Sequence, residues 1–178
     1  MKPNQNLNLE MFADADFAGL WNAEEPHDPV CVKSRFGYII YLSDVPVLWS
    51  SKLQTEIATS TMHAEYIALP SGMRELLPVR NVFHDVCSSL GIQLSDSAKV
   101  IKVHEDNEGA LKLAQSPIMR VTPHSKHFAM TYHWFRERLD EYKIELVREA
   151  TDQQKSDIFT KGLVGKEFET KRFMLMGW

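Results

Sequence analysis

Hydrophobic and polar positions along the chain change period several times, and each change marks an element. Leu7 to Asp16 (LNLEMFADAD) alternates and then ends in acids, which predicts a first strand. Phe36 to Leu42 (FGYIIYL) and Val45 to Ser51 (VPVLWSS) are β-branched and aromatic and meet at Ser43-Asp44, the pattern of a hairpin. These segments predict an antiparallel sheet of three strands. From Thr61 to about Leu90 the apolar residues recur at three- and four-residue steps, as on a helix, with Pro70 and Pro78 implying a kink or two consecutive helices. Lys99 to Glu105 is a short strand, and Asp106-Asn107-Glu108 begins a helix to about Gln115. An aromatic-rich helix is expected from His124 to Tyr142, and a last strand from Ile144 to Arg148. Thr151 to Gln154 has capping-box form ahead of a helix through Lys161, and 163–178 reads as a short helical tail. The order predicts an α/β fold: a five-stranded mixed sheet flanked by helices on both faces, in a single domain over 1–178.

Composition narrows this reading only a little. The chain has 178 residues, 44% of them hydrophobic, within the range of one domain. It has no run long enough to span a membrane, and its first residues lack the apolar stretch of a secretory signal, so neither secretion nor a membrane partner is expected. Cys31 and Cys87 are isolated, without metal-ligand or disulfide-framework spacing, and read as free thiols of a reducing compartment. The formal net charge of -4 argues against nucleic-acid binding by bulk electrostatics. Signatures of P-loop nucleotidases, HExxH proteases and GxSxG hydrolases are missing, and nothing calls for a small-molecule cofactor.

Four acids occupy suggestive places. Asp14 lies near the end of the first strand on the face of Phe12 and Asp16, Glu65 in the first turns of the long helix, Asp106 at the fourth-strand end, and Asp157 in the last helix before the tail. Each alone has a bland explanation: a strand-end turn, a favourable charge at a helix N-terminus, a helix cap, a decorated first turn. Jointly, these points can converge at one edge of a mixed sheet. Carboxylates gathered there need protons or a metal, and magnesium prefers such oxygen ligands. Two ions about 3.5–4 Å apart would activate water and stabilise a leaving oxygen in phosphodiester hydrolysis.

The motifs, in order, are FADADFAG (12–19), KSRFGYI (33–39), WSSKLQ (49–54), ATSTMHAEYIAL (58–69), EDN (105–107), SKH (125–127) and SDIFTK (156–161). This ordered set resembles, nearly end to end, the ribonuclease H domain of copia-type LTR retrotransposon polyproteins. The resemblance implies a ribonuclease H-like fold and endonucleolytic hydrolysis of the RNA strand of RNA–DNA hybrids, with 5′-phosphate and 3′-hydroxyl products. It also implies Asp14, Glu65, Asp106 and Asp157 as catalytic and metal-binding residues, and Mg2+, two ions with Mn2+ as a substitute, as cofactor. Asp16 competes for the first position, but a short polar or small pair follows the catalytic Asp across the superfamily, matched by Ala15-Asp16. The implied partners are the hybrid and the reverse transcriptase domain of the same polyprotein, within cytoplasmic particles. One departure is that 149–154 lacks the loop histidine of many cellular ribonucleases H, which leaves Gln153, Gln154 or a residue from elsewhere to replace it.

Substrate contacts are expected from Lys52, Thr59, Ser60, Thr61, Asn107, Lys126 and His127, chiefly to backbone and sugar. For the Thr-Ser-Thr run an ordinary helix cap is an equal alternative. The basic stretch from Arg120 to Arg138 is read as a helix with one cationic face whose aromatics pack in the core. With its acidic total the chain alone is expected to bind weakly and with strong salt sensitivity, relying on a tethered polymerase. Two alternatives are a non-catalytic module keeping this fold and a related DNA-cutting fold; the Ala-Glu-Tyr helix so soon after a hairpin favours ribonuclease H.

Overall fold

Ser43 and Asp44 carry the first hairpin with φ of 52° and 66°. Two consecutive left-handed residues make the type I′ turn whose twist matches paired strands, and Asp tolerates this conformation well. The computed structural model describes residues 7–21, 28, 30–116 and 126–177, with the backbone alone for 126–129. Strands β1 (Leu9–Asp16), β2 (Arg35–Leu42) and β3 (Val45–Leu53) form an antiparallel meander. Leu7 falls outside β1 because its φ is positive. β4 (Ile101–Glu105) joins β1 in parallel, and β5 (Ile144–Arg148) joins β4 in parallel, giving a five-stranded mixed sheet of order β3-β2-β1-β4-β5. The predicted fold class is therefore the observed one.

Alternation along β1 divides the protein into two layers. Met11 and Ala13 point toward α1 (Thr61–Ser89), α2 (Glu108–Gln115) and α3 (Lys126–Glu141), in a core with Ile40, Leu69, Met73, Leu76, Tyr132 and Phe135. The aromatics of the basic stretch, Tyr132 and Phe135, are thus core residues. Phe12 points the other way, into a smaller cluster with Ile39, Tyr41 and Leu175 under α4 (Gly165–Met176).

Three expectations need correction. α1 is one continuous helix of 29 residues, with Pro70 and Pro78 inside it rather than dividing it. An interior proline costs about 3 kcal/mol, and burial of Leu69, Met73, Leu76 and Leu77 on one face offsets that cost. The cap of α2 is Asn107, whose Oδ1 accepts from Ala110 N at 3.0 Å, so Asp106 is not spent on capping. The segment through Lys161 forms two short 3-10 turns, Thr151–Gln153 and Lys155–Phe159, in place of an α-helix. Gln154 explains the break: it is fully buried and donates from Nε2 to the Ala13 carbonyl at 2.8 Å, pinning the chain to β1 between the turns.

The second 3-10 turn lies close on β2 because position 37 is glycine. A Cβ there would stand 2.6 Å from Phe159 Cβ, and Gly37 pairs with Asp14 in the sheet. The missing side chain lets the segment carrying Asp157 and Thr160 reach the strand end that carries Asp14.

Candidate active site

Adjacent parallel strands present their carboxyl ends together, and in this sheet β1 and β4 do so. Their register pairs Phe12 with His104, so continuing it by two residues sets Asp14 level with Asp106. A crevice at such strand ends is where open α/β sheets gather functional side chains. Glu65 enters from α1, on the opposite side of β1 from the 3-10 turn, and accepts from Ala15 N at 2.6 Å. Oxygens of Asp14, Glu65 and Asp106 all lie within 4.8 Å of one another. Asp14 and Glu65 are buried, while Asp106 keeps part of its surface in solvent.

Asp157 sits at the flank of this trio. One of its oxygens is 2.7 Å from Lys171 Nζ; the other bonds Lys161 Nζ, which is 3.6 Å from Asp14 Oδ1. The hydroxyl of Thr160 donates to the other oxygen of Asp14. Among the described residues three of the four expected acids form a cluster, and the fourth reaches it through a lysine. Asp16, the competing first acid, lies against Gly19 outside the cluster.

Other expected site residues fall into place unevenly. Ser60 caps α1, accepting from His63 N at 3.1 Å, which makes the capping alternative correct for that residue. Thr59, Thr61 and Lys52 are exposed. The side chains of Lys126 and His127 lie outside the described residues. Gln154, offered as a stand-in for the loop histidine, is committed to the sheet, whereas Gln153 is exposed. Cys31 and Cys87 are buried free thiols, as expected.

Glu105 was missed by the sequence reading. It is fully buried, accepts from Asn107 N at 3.0 Å through one oxygen, and among the described residues has no hydrogen-bond partner for the other. The signal was present: Ile101, Val103 and Glu105 share one face of β4, so an acid ends an apolar stripe. Thr160, Lys161 and Lys171 carry no such signal, because their roles depend on how the chain folds back.

The electrostatics of the cluster call for a cation. Burial, reinforced by Asp157 and Asp106, pushes the Asp14 carboxyl up to about 6 against the pull of Lys161 and Thr160. Burial and the charges of Glu105, Asp14 and Asp106 raise Glu65 far above the ordinary carboxylate range. Glu105 is raised by burial and by Asp106 and Asp14, despite donors from the backbone. Buried oxygens Asp14 Oδ1 and Glu105 Oε2 have no hydrogen-bond partner among the described residues. Hard oxygen donors, excess negative charge and unpartnered lone pairs together fit a divalent ion such as magnesium.

A pH dependence follows. A carboxyl with a raised folded pKa stabilises the fold below its unfolded pKa and loses that contribution as pH rises through the folded value. Without divalent ions, stability is therefore expected to fall as pH climbs from about 4 through 6 for Asp14, and further above that for Glu65 and Glu105, by up to about 1.4 kcal/mol per pH unit for each proton released. Magnesium should flatten the decline. Urea unfolding at pH 5, 6, 7 and 8, with Mg2+ and with EDTA, checks this; stability that rises steadily across the range in EDTA contradicts it.

No protein-family model matches the chain. Among curated proteins it is 32% identical over 169 residues to the retrovirus-related Pol polyprotein from transposon RE2 of Arabidopsis thaliana, a match covering 95% of this chain and 10% of that protein. The polyprotein from transposon RE1 of the same plant is 30% identical over the same shares, and that from transposon TNT 1-94 of Nicotiana tabacum is 29% identical over 90% of this chain and 11% of that one. The chain spans about a tenth of the length of these relatives. Among solved structures, LC11-RNase H1 from a compost metagenome superposes with a TM-score of 0.56 at 19% identity, over 86% of this chain and 93% of that one. The same enzyme in complex with RNA/DNA hybrid gives 0.52 at 18% identity, over 86% and 94%. The chain is thus similar, over about a tenth of their length, to the retrovirus-related Pol polyproteins of plant transposons, and it has the ribonuclease H fold.

Proposed function

We propose that the chain hydrolyses the RNA strand of RNA–DNA hybrids during reverse transcription of a retrotransposon, as a single domain acting beside a reverse transcriptase domain in cytoplasmic particles. The observation that carries this reading is the meeting of Asp14, Glu65 and Asp106 at the carboxyl ends of two adjacent parallel strands. These three residues would hold magnesium; a second ion would be held by Asp14 and Asp157. Bound there, magnesium supplies an activated water and charge stabilisation at the phosphorus.

The chain's own side chains prepare the site. Ala15 N fixes Glu65, Thr160 fixes Asp14, and Lys171 fixes Asp157, so three acids are oriented from three different elements before substrate arrives. Preorganised charge of this kind contributes most where water is excluded, and Asp14, Glu65 and Asp157 are all buried. Exposed Lys52 near the end of β3, Thr59 on the β3–α1 connection and Thr61 at the start of α1 lie at positions suited to backbone contacts.

The test is a strand-labelled substrate series. With Mg2+ the RNA strand of a hybrid should be cut to fragments with 5′-phosphates, while RNA duplex, DNA duplex and the DNA strand stay whole, and EDTA should stop the reaction. An intact RNA strand with folded protein supports a non-catalytic binding module instead; cleavage of duplex DNA supports the related DNA-cutting class.

A further inference from the structure

Among the described residues two lysines pair with Asp157, and they differ in kind. Lys171 is buried with Asp157, and besides its ion pair it donates to the carbonyls of Thr151, Asp152 and Gln154 at 3.1, 3.0 and 2.8 Å. It has no freedom to leave. Lys161 makes no backbone bond of this kind; about a third of its side chain is exposed (36%), and its ammonium stands between Asp157 Oδ1 and Asp14 Oδ1. Among the described residues that Asp14 oxygen has no hydrogen-bond partner; the hydroxyl of Thr160 bonds the other one.

The gap between Asp14 and Asp157 is thus already spanned by a positive charge. The Lys161 ammonium lies against both carboxylates and so offsets part of their joint negative charge. A divalent ion entering the same gap would meet that charge at close range and would have to displace it from both carboxylates. An ion at Asp14, Glu65 and Asp106 would share only Asp14 with Lys161, since no ion pair joins Lys161 to Glu65 or Asp106 among the described residues.

We propose that Lys161 is the built-in second cation of this site: its ammonium neutralises the Asp14–Asp157 pair, so that the free chain holds one divalent ion, at the acid cluster, and takes a second only when Lys161 swings into solvent. Lys161 is on this account a positioning residue that sets metal stoichiometry. The proposal rests on the reading of Asp14, Glu65 and Asp106 as metal ligands, and its test separates the two.

Calorimetric titration with MnCl2 at neutral pH is carried out on the wild-type chain, Lys161→Met, Lys161→Arg and Asp106→Asn, with circular dichroism as a check on folding. Lys161→Gln replaces the methionine variant if that one does not fold. The expected result is one ion in wild type and in Lys161→Arg, with a second ion in the neutral variant bound at least tenfold more tightly than any second ion in wild type. Asp106→Asn should lose the first ion. Two ions of similar affinity in wild type, or a single unchanged ion in the neutral variants, overturns the role of Lys161 while leaving the metal site standing. No ion in wild type overturns both.

Discussion

Asp106→Asn is expected to slow hydrolysis of the RNA strand by on the order of 10²–10⁴-fold while costing no stability. The first part follows from what a bound divalent ion supplies: several kcal/mol of charge stabilisation, at about 1.4 kcal/mol per factor of ten in rate. Replacing one oxygen donor of a three-carboxylate cluster by an amide removes a unit of ligand charge and much of that benefit. The second part follows from the local structure. Asn107, not Asp106, caps α2, so no helix cap is lost. The negative charge of Asp106 raises Asp14, Glu65 and Glu105 alike, so its removal relieves repulsion. Single-turnover cleavage with saturating protein and thermal unfolding in EDTA measure the two parts. A variant that cuts nearly as fast as the parent would remove Asp106 from the catalytic set; one that is inactive and melts well below the parent would make its role structural.

Lys171→Met is expected to destabilise the chain by about 3–5 kcal/mol, the range for removing one partner of a buried ion pair. The size comes from what is left behind. Lys171 and Asp157 each have about 5% of their side chains exposed, and the three carbonyls that Lys171 also serves belong to the turns holding Asp157 in place. Without the ammonium, one Asp157 oxygen and three backbone acceptors lose a common donor. For a chain of this size the midpoint should fall by roughly 6–20 °C, taking about 2–4 °C per kcal/mol. Arginine should rescue poorly, because a planar fork cannot converge on four acceptors arranged around a single nitrogen. Thermal melts of both variants decide the matter; a midpoint within about two degrees of the parent for Lys171→Met would mean the ion pair contributes nothing net.

How far the sequence carried the reading depends on whether a signal was local. The hairpin at Ser43-Asp44, the strand-end acids Asp14 and Asp106, and the switch to helical period at Thr61 are all local, and all appear in the structure. Pro70 and Pro78 do not divide α1 into two helices, because packing of its apolar face outweighs local propensity there. The last segment misled for the reverse reason. Thr151 to Lys161 has the local form of a capped helix, yet Gln154 is drawn into the sheet by a carbonyl 141 residues away in sequence, and the turn closes down to 3-10 geometry. The same distance hid Thr160, Lys161 and Lys171, whose purpose exists only once the C-terminal part lies against β1. Glu105 was the avoidable omission, since its alternation with Val103 and Ile101 places an acid at the end of an apolar stripe.

The contacts of Thr160 with Asp14 and of Gln154 with Ala13 join positions 146 and 141 residues apart. This has a bearing on synthesis. As the chain emerges from a ribosome the β1–β3 meander is complete early, whereas the groups that restrain Asp14 and Asp157 arrive last, with Lys171 inside α4. Closing so long a loop adds little entropic cost beyond that of a loop half its size, so late completion is thermodynamically inexpensive. Its effect is on timing: a nascent or prematurely ended chain lacking α4 would carry Asp14 and Glu65 without the framework that organises the fourth acid, and the site would mature only when translation has passed through the final helix.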